Sequence, residues 1–453
     1  MKIHLKLFET TTPAGFAQER QRKIVLTVLA NFAAKGIMLL TSVLSIRFTV
    51  NYLGTERFGM WALISSFTAM LSFADLGIGN GLLNSISDAY GKDDREGASR
   101  NVSSAFYMLL FIAVLIAVIF FAAYPYISWA AVFNVTSAQA IAEAGPAMTL
   151  FIVCTLINIP LGVVQRIRMG YQEGFINSLW LAIGNVTALF AVLTLIYFKS
   201  GLPYLVFALV GFPLLAQLGN GLFLFLKQRV WLMPRWRHFN FSSAGKLLQL
   251  GFLFFVLQMA ISIGFESDGF IITQFLGAEA VTQYAIPKRL FILATTLLGI
   301  VLSPLWPAYG EAAARKDTAW TKRTFLKSLL FSSFFGISSA LILLIFSKPI
   351  LRIWVGDAVS PSWALLVGLA GWLILYSILN PFAMFMNGVN IINFQVATTV
   401  LMTIVNIIVS VVLVQRIGVA GPIWGTVISL SLCVLLPTIW YVIDFIKKME
   451  GLP

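Results

Sequence analysis

Apolar residues in this chain do not alternate with polar ones at short range. They run for about 17 to 25 residues at a time, the length that crosses the hydrocarbon core of a bilayer, and short polar stretches separate the runs. Such runs lie near 24–50, 57–86, 102–123, 146–164, 176–198, 203–226, 248–275, 285–306, 325–346, 363–386, 395–414 and 421–443. Inside several of them polar residues keep a helical period. Asn31, Lys35, Ser42, Ser45 and Thr49 follow one another at steps of 4, 7, 3 and 4. Ser65, Thr68, Ser72, Asp75 and Gly79 form a similar stripe in the second run, and Gln258, Ser262, Glu266 and Thr273 one in the seventh. Each is a single face of the 3.6-residue period. The pattern predicts an all-α polytopic membrane protein of about twelve transmembrane helices, some with one polar face turned away from lipid.

The pattern also repeats. LGTE at 53–56 returns as LGAE at 276–279, 223 residues later. LGI at 76–78 matches 298–300, AYG at 89–91 matches 308–310, and Pro125 matches Pro349. The spacing shrinks from 223 to 222 to 219, which implies a three-residue deletion in the second copy. Two homologous six-helix bundles follow. With an even number of helices each, they share one orientation and are related by an axis along the membrane normal. The expected segments are a tail at 1–23, a bundle at 24–226, a basic linker at 227–247, a bundle at 248–446 and a tail at 447–453. Internal repeats in a membrane protein point to a transporter with its site where the halves meet.

Composition agrees, with 59% hydrophobic and only 11% charged residues, against about 25% charged in soluble domains. The net charge of +13 would suggest nucleic acid in a soluble protein, so the placement of the bases decides. Twenty-two of the 31 Lys and Arg fall in the terminal segments and the even-numbered loops. The odd-numbered loops hold only Arg57, Lys199, Lys348, Arg352 and Arg416. By the positive-inside rule both termini are cytoplasmic. The basic surplus is then a topology signal, with contact to anionic membrane lipids as a consequence, and nucleic acid is excluded as a partner. Arg20, Arg22 and Lys23 abut a first span too long for a signal-peptide core. Cys154 and Cys433 lie in apolar helices of different halves, so no disulfide is expected.

Catalytic chemistry is sparse. The two histidines, His4 and His238, fall in cytoplasmic segments, which leaves no His-based triad or metal site in the membrane, and no Walker-type phosphate loop is present. GIGNG at 77–81 lies inside an apolar run with no preceding strand. It reads either as close helix packing through small residues or as a broken helix lining a cavity. The informative residues are Lys35, Asp75, Glu266 and Asp268, because an ionisable group at a helix centre costs about 2.5–3.5 kcal/mol on insertion scales. Lys35 lies about 18 Å beyond Lys23 along a helix, too deep for easy snorkelling. It either lines a cavity or forms a structural ion pair with Asp75. Asp268 stands about 200° around the helix from Glu266, so one acid faces the cavity while the other packs within its own bundle. Arg47, Lys288 and Arg289 lie nearer the outer face, where snorkelling accounts for them. Glu143 reads as an end residue of the fourth helix.

The stretches NYLGTERFGMWALISSF, ADLGIGNGLLNSISDAYGKDD (74–94) and SDGFIITQFLGAEAVTQYAIPKRL (267–290) resemble the O-antigen and polysaccharide flippases of the multidrug/oligosaccharidyl-lipid/polysaccharide (MOP) exporter superfamily. The resemblance extends over essentially the whole chain. It implies two six-helix lobes in a V-shaped, MATE-like arrangement that alternate between inward-open and outward-open states. The implied cargo is a polyprenyl-diphosphate-linked oligosaccharide, an O-antigen or other surface polysaccharide unit. It would be moved from the inner to the outer leaflet of a bacterial inner membrane, with polysaccharide polymerase machinery as a further partner and no cofactor or enzymatic step.

An anionic diphosphate-sugar headgroup calls for a cationic, water-filled cleft. Lys35 is the leading phosphate partner, with Arg47, Lys288 and Arg289 behind it. Asp75, Glu266 and Asp268 are candidates to carry a coupling ion, H⁺ or Na⁺. Leu297 stands where Asp75 aligns in the second half, so such an ion site is asymmetric. Trp61, Trp306 and Trp372 either stack on sugars or serve packing and interfacial anchoring. Two other readings compete. A multidrug exporter of the same fold would need an acidic cleft, against which Lys35 argues. A membrane glycosyltransferase or polymerase would need a long catalytic outer loop, whereas the longest, at 124–145, holds only Glu143 as an ionisable group.

Overall fold

The computed structural model describes residues 12–71, 73–356 and 359–449, and among these every regular element is helical. The chain divides into two compact units between Phe252 and Leu253. The first holds α1 (Pro13–Leu71), α2 (Ile78–Gly91), α3 (Arg95–Ala123), the short α4 (Trp129–Phe133), α5 (Ala138–Gly170), α6 (Gly174–Tyr197), α7 (Leu202–Phe223) and the start of α8 (Phe241–Leu276). The second holds the rest of α8, then α9 (Ala278–Leu302), α10 (Leu305–Ala314), α11 (Thr318–Val355), α12 (Trp363–Gly388), α13 (Ile392–Ile417), α14 (Gly421–Ser429) and α15 (Leu436–Met449). Ten helical runs among the described residues are long and apolar enough to cross a membrane. Two of them, Ala14–Ile64 with 51 residues and Ile392–Met449 with 58, are more than twice the roughly 20 residues of one crossing. Ten runs therefore provide for the twelve crossings expected from the apolar pattern. Large apolar side chains such as Phe111, Val118, Leu330 and Phe334 are exposed along these helices, as a lipid-facing surface requires.

The repeat is written in the backbone. α1 kinks at Gly54, with φ 74 and ψ 174, and α8 gives way to α9 at Gly277, with φ 87 and ψ 166. That region is essentially open to glycine alone, and these two glycines are the ones in LGTE and LGAE. The same offset returns at a second pair of turns. Asp93 (φ 55) and Lys316 (φ 58) are left-handed, and each precedes an aspartate that caps the next helix. Asp94 accepts from the Gly97 N–H at 2.8 Å and Asp317 from the Trp320 N–H at 3.2 Å, the first-turn bond expected of a good N-cap.

The LGI match is corrected. Leu76 (φ 48) and Gly77 (φ 73) sit in a chain break, whereas residues 298–300 lie inside the continuous helix α9. Three common apolar residues in an apolar background carry little register information. AYG is likewise out of register: it closes α2 at Gly91 but lies inside α10, which ends at Ala314, so the helix ends and capping aspartates keep the offset of 223 and the three-residue deletion is not needed.

The second apolar run is not one helix. α1 ends at Leu71, the chain turns through 73–77 and α2 begins at Ile78. Asp75 stabilises this turn by accepting the Gly77 N–H at 2.9 Å. Beyond it the glycines permit close approach. A Cβ on Gly79 would stand 2.7 Å from Asp75 Oδ2 and 2.8 Å from Arg166 Nε, and one on Gly81 would stand 3.1 Å from the Leu247 carbonyl oxygen. Both readings of GIGNG therefore hold, a break at its first residue and close packing after it. The side chains of Ser65 and Thr68, and Ser72 itself, lie outside the described residues, so the stripe predicted for this run is left at Asp75 and Gly79.

Two apolar clusters support the first unit. One joins Met60 and Ile64 of α1 to Phe151 of α5 and Val206 of α7. The other joins Leu82 and Ile86 of α2 to Val102 of α3 and Ile167 of α5. In the second unit Phe291, Leu369, Leu373, Met402 and Ile423 form the core.

Candidate binding cavity and charge networks

Helices α1, α5, α6 and α7 of the first unit enclose a cavity of about 820 Å³. Its polar wall is built at helical spacing. α1 contributes the hydroxyls of Thr41, Ser42, Ser45 and Thr49; α5 contributes Asn158 and Gln165, seven residues apart and so on one face; α6 contributes Asn177 and Asn185, and α7 contributes Gln217. Phe58, Trp61, Phe151 and Trp180 supply aromatic surface. Among the described residues that line it there is no Asp, Glu, Lys or Arg. Part of this polar wall is already engaged. Asn185 donates to the Leu181 carbonyl at 2.8 Å, and Asn177 Oδ1 accepts from Asn220 at 3.4 Å. Other groups are not engaged. Thr49 is only 2% exposed, yet its hydroxyl has no hydrogen-bond partner among the described residues, and no bond among them engages the amides of Asn158 or Gln165.

The sequence-predicted charges stand elsewhere. Lys35 is exposed on α1, seven residues before Ser42 and so on the same helical face, but it lies beyond the residues that line the cavity. It has no partner among the described residues, so the Lys35–Asp75 ion pair is not formed. The break at 73–77 explains this: it turns Asp75 onto α5, where Arg166 is its electrostatic partner. Arg47 and Arg289 are exposed. Lys288 does not snorkel outward but is held inside the second unit. Its Nζ donates to the Phe265 carbonyl at 2.9 Å and lies 3.5 Å from Asp268 Oδ2. Asp268 is 1% exposed and also accepts from the Tyr284 hydroxyl, while its Oδ1 has no partner among the described residues. Glu266 is exposed, on the other side of α8 as its 200° separation from Asp268 requires. Trp61 lines the cavity. Trp372 is buried in the second unit's core, and Trp306 packs on Phe254 with ring centroids 5.4 Å apart. Glu143 is not a bare helix end, because Arg57 grips both its oxygens, at 2.7 and 2.9 Å.

A charge network near the end of α5 escaped sequence reasoning: Arg166 and Arg168 fall just past the fourth apolar run, 146–164, and so count among the bases of the even-numbered loops. α5 runs on to Gly170, and Arg168 is fully buried. Its Nε donates to Asn220 Oδ1 at 3.1 Å and its Nη1 to Glu173 Oε2 at 2.9 Å, with Gln228 as a further acceptor. Arg229 binds both oxygens of Glu173 and lies 4.1 Å from the centre of the Tyr171 ring. Lys23 donates to the Tyr90 hydroxyl and the Tyr171 carbonyl, both at 3.1 Å. Burial alone would raise the Glu173 pKa, but hydrogen bonds and charge from Arg229 and Arg168 outweigh it and hold the carboxyl below its ordinary range. Burial pushes the Tyr171 phenol up to about 12. One signal could have found this network: Glu173 is the sole acid between Glu143 and Glu266, set among arginines.

The fold is that of the MATE transporters. An outward-facing multidrug resistance MATE family transporter of the MOP superfamily superposes with a TM-score of 0.79 at 16% identity, covering 98% of this chain and 100% of its own. A MOP superfamily transporter from Pyrococcus furiosus gives 0.79 at 15% identity, with the same coverage. The chain belongs to the polysaccharide biosynthesis protein family, whose pattern matches residues 52–364. A Salmonella typhimurium protein named "Putative O-antigen transporter" is 21% identical over 416 residues, 89% of this chain and 93% of its own length. A Yersinia pseudotuberculosis protein named "Putative O-antigen export protein" is 22% identical over 274 residues, covering 60% of this chain and 61% of its own.

Proposed function

We propose that this protein is a transporter, not an enzyme, and that it flips a polyprenyl-diphosphate-linked oligosaccharide, an O-antigen or similar surface polysaccharide unit. Movement runs from the inner to the outer leaflet of a bacterial inner membrane by alternating access, with both termini in the cytoplasm. The observation that carries this reading is the uncharged cavity, whose largely apolar wall is set with amides, hydroxyls and indoles, in a chain of a polysaccharide biosynthesis family. A polar, oxygen-rich headgroup suits that wall. The relatives named as O-antigen transporters support the same cargo. A multidrug exporter is disfavoured because, among the described residues, no carboxylate lines the cavity to receive a cationic drug.

In this reading the diphosphate is met by the exposed cations Lys35 and Arg47 on α1, whereas Lys288 is committed to Asp268 and the Phe265 carbonyl. Coupling to H⁺ or Na⁺ runs through Asp75, Glu266 or Asp268. Polymerase machinery takes the product. The test is translocation of a fluorescent lipid-linked oligosaccharide in proteoliposomes, beside complementation of a flippase-deficient strain. Lys35→Ala and Lys35→Glu should lower activity tenfold or more at normal membrane abundance, while Lys35→Arg retains most of it, since a phosphate contact needs the charge. Full activity in Lys35→Ala would remove this residue from substrate binding, and absence of any translocation by the wild type would reject the reading.

A further inference from the structure

We infer that the cavity of the first unit is a subsite for uncharged sugars, accepting neutral pyranose rings and turning away rings that carry a carboxylate or phosphate. This rests on the transport reading and narrows its cargo.

Free hydrogen-bonding capacity is the first argument. Asn158 and Gln165 each present an acceptor oxygen and a donor NH₂ to the cavity with no protein partner among the described residues. Both amides are exposed to the cavity, so an occupant has to replace the water they hold, and one that both donates and accepts matches them best. Sugar hydroxyls do both; a carboxylate or phosphate only accepts.

The missing countercharge is the second argument. An anion leaving water loses far more hydration than a hydroxyl and needs a paired charge to offset it. Among the described residues no cation lines the wall, and Lys35 and Arg47 lie outside it. Sugar and diphosphate are thus received by separate groups.

Shape is the third. The volume of about 820 Å³ falls within the roughly 300–1,000 Å³ of small-molecule sites, room for a few linked rings. Trp180 offers an indole seated against Gly219, where a Cβ would stand 2.8 Å from Trp180 Cζ3. Any larger residue at 219 displaces that ring.

The experiment uses the full chain in lipid nanodiscs and saturation-transfer NMR, which detects millimolar binding. The probes are a neutral hexose tetrasaccharide and the same molecule with one hexose oxidised to a uronate. The neutral probe should bind at least tenfold more tightly. Asn158→Leu and Gln165→Leu should each weaken it several-fold, and Trp180→Ala more than Trp180→Phe. Gln165→Lys should shift preference toward the uronate, with Asn158→Lys as the second variant if the first does not fold. Equal or tighter uronate binding by the wild type, no binding of either probe, or neutral binding insensitive to all of these substitutions overturns the inference. Selective neutral binding without translocation in proteoliposomes would instead retain the subsite and sink the transport reading. Translocation without selectivity would do the reverse.

Discussion

Arg168 shows how much a single side chain can tie together. It is fully buried, and its partners Asn220, Glu173 and Gln228 lie 52, 5 and 60 residues away in sequence. Removing one member of a buried charge pair strands the other, at a cost of about 3–5 kcal/mol. Arg229 still holds Glu173, so Arg168→Met should cost about 3 kcal/mol, seen as a lower thermal unfolding temperature of the purified protein. An unchanged midpoint would mean the network adds nothing to stability.

Glu173 supplies a pH dependence. Its folded pKa lies below the ordinary carboxyl value of about 4.3, so its stabilising contribution is complete above that value and is lost as pH falls through the folded pKa. Glu173→Gln should therefore melt earlier than wild type at neutral pH, and the two melting curves should converge in acid. Parallel curves throughout would contradict the depressed pKa.

At this scale the sequence revealed Ser42, Ser45 and Thr49 as one helical face, and that face does line the cavity. The amides on α5, α6 and α7 carry no such signal in the sequence, because in this cavity the polar chemistry is neutral and charge does not mark it. Lys35 shares the face of Ser42 by spacing but stands before the first lining residue, Met38, along α1, and periodicity does not say where along a helix a cavity begins.

Among elements, the most exacting positions are the two glycine kinks. Gly54 and Gly277 hold positive φ with ψ near 170, where a Cβ is strained by about 1–3 kcal/mol. Gly54→Ala and Gly277→Ala should each reduce folded protein, although a Cβ would meet nothing within 4 Å at either site. The control is Gly36→Ala, also with open space but in ordinary helix, where alanine is the better helix former by about 1 kcal/mol. Equal folded yields for the three variants would show that the strain is absorbed elsewhere.

Most elements were legible because a bilayer imposes length and hydropathy together. The break before α2 was not, since the sequence around 73–77 keeps the apolar character of a span while its backbone turns. Loop assignments failed at α5 for a related reason: Arg166 and Arg168 look like loop bases until Glu173, Asn220 and Asp75 are brought against them.

For the whole molecule, the repeated order of elements in the two units and the doubled glycine turn were readable from LGTE and LGAE, while LGI pointed to a register the helices do not keep. Topology is open to direct test. Cysteines placed at Thr55, Lys199 and Gly418 should label from outside intact cells, and one near residue 235 should not. Labelling at 235 from outside would reverse the assignment of both termini. Coupling belongs to this scale too. Asp75→Asn, Glu266→Gln and Asp268→Asn keep size and abolish titration, so the variant that loses dependence on pH or Na⁺ while still inserted identifies the carrier. Unchanged gradient dependence in all three would remove these acids from the mechanism.

The neutrality of the cavity wall has an electrical consequence. Moving one elementary charge through 100 mV of membrane potential is worth about 2.3 kcal/mol, but a wall without ionised groups, holding an uncharged sugar, carries no such charge when it reorients. Loading the glycan should therefore be invisible to voltage. Whatever current accompanies a transport cycle would be carried by the diphosphate and the coupling ion, and glycans of different length should move with the same charge per cycle.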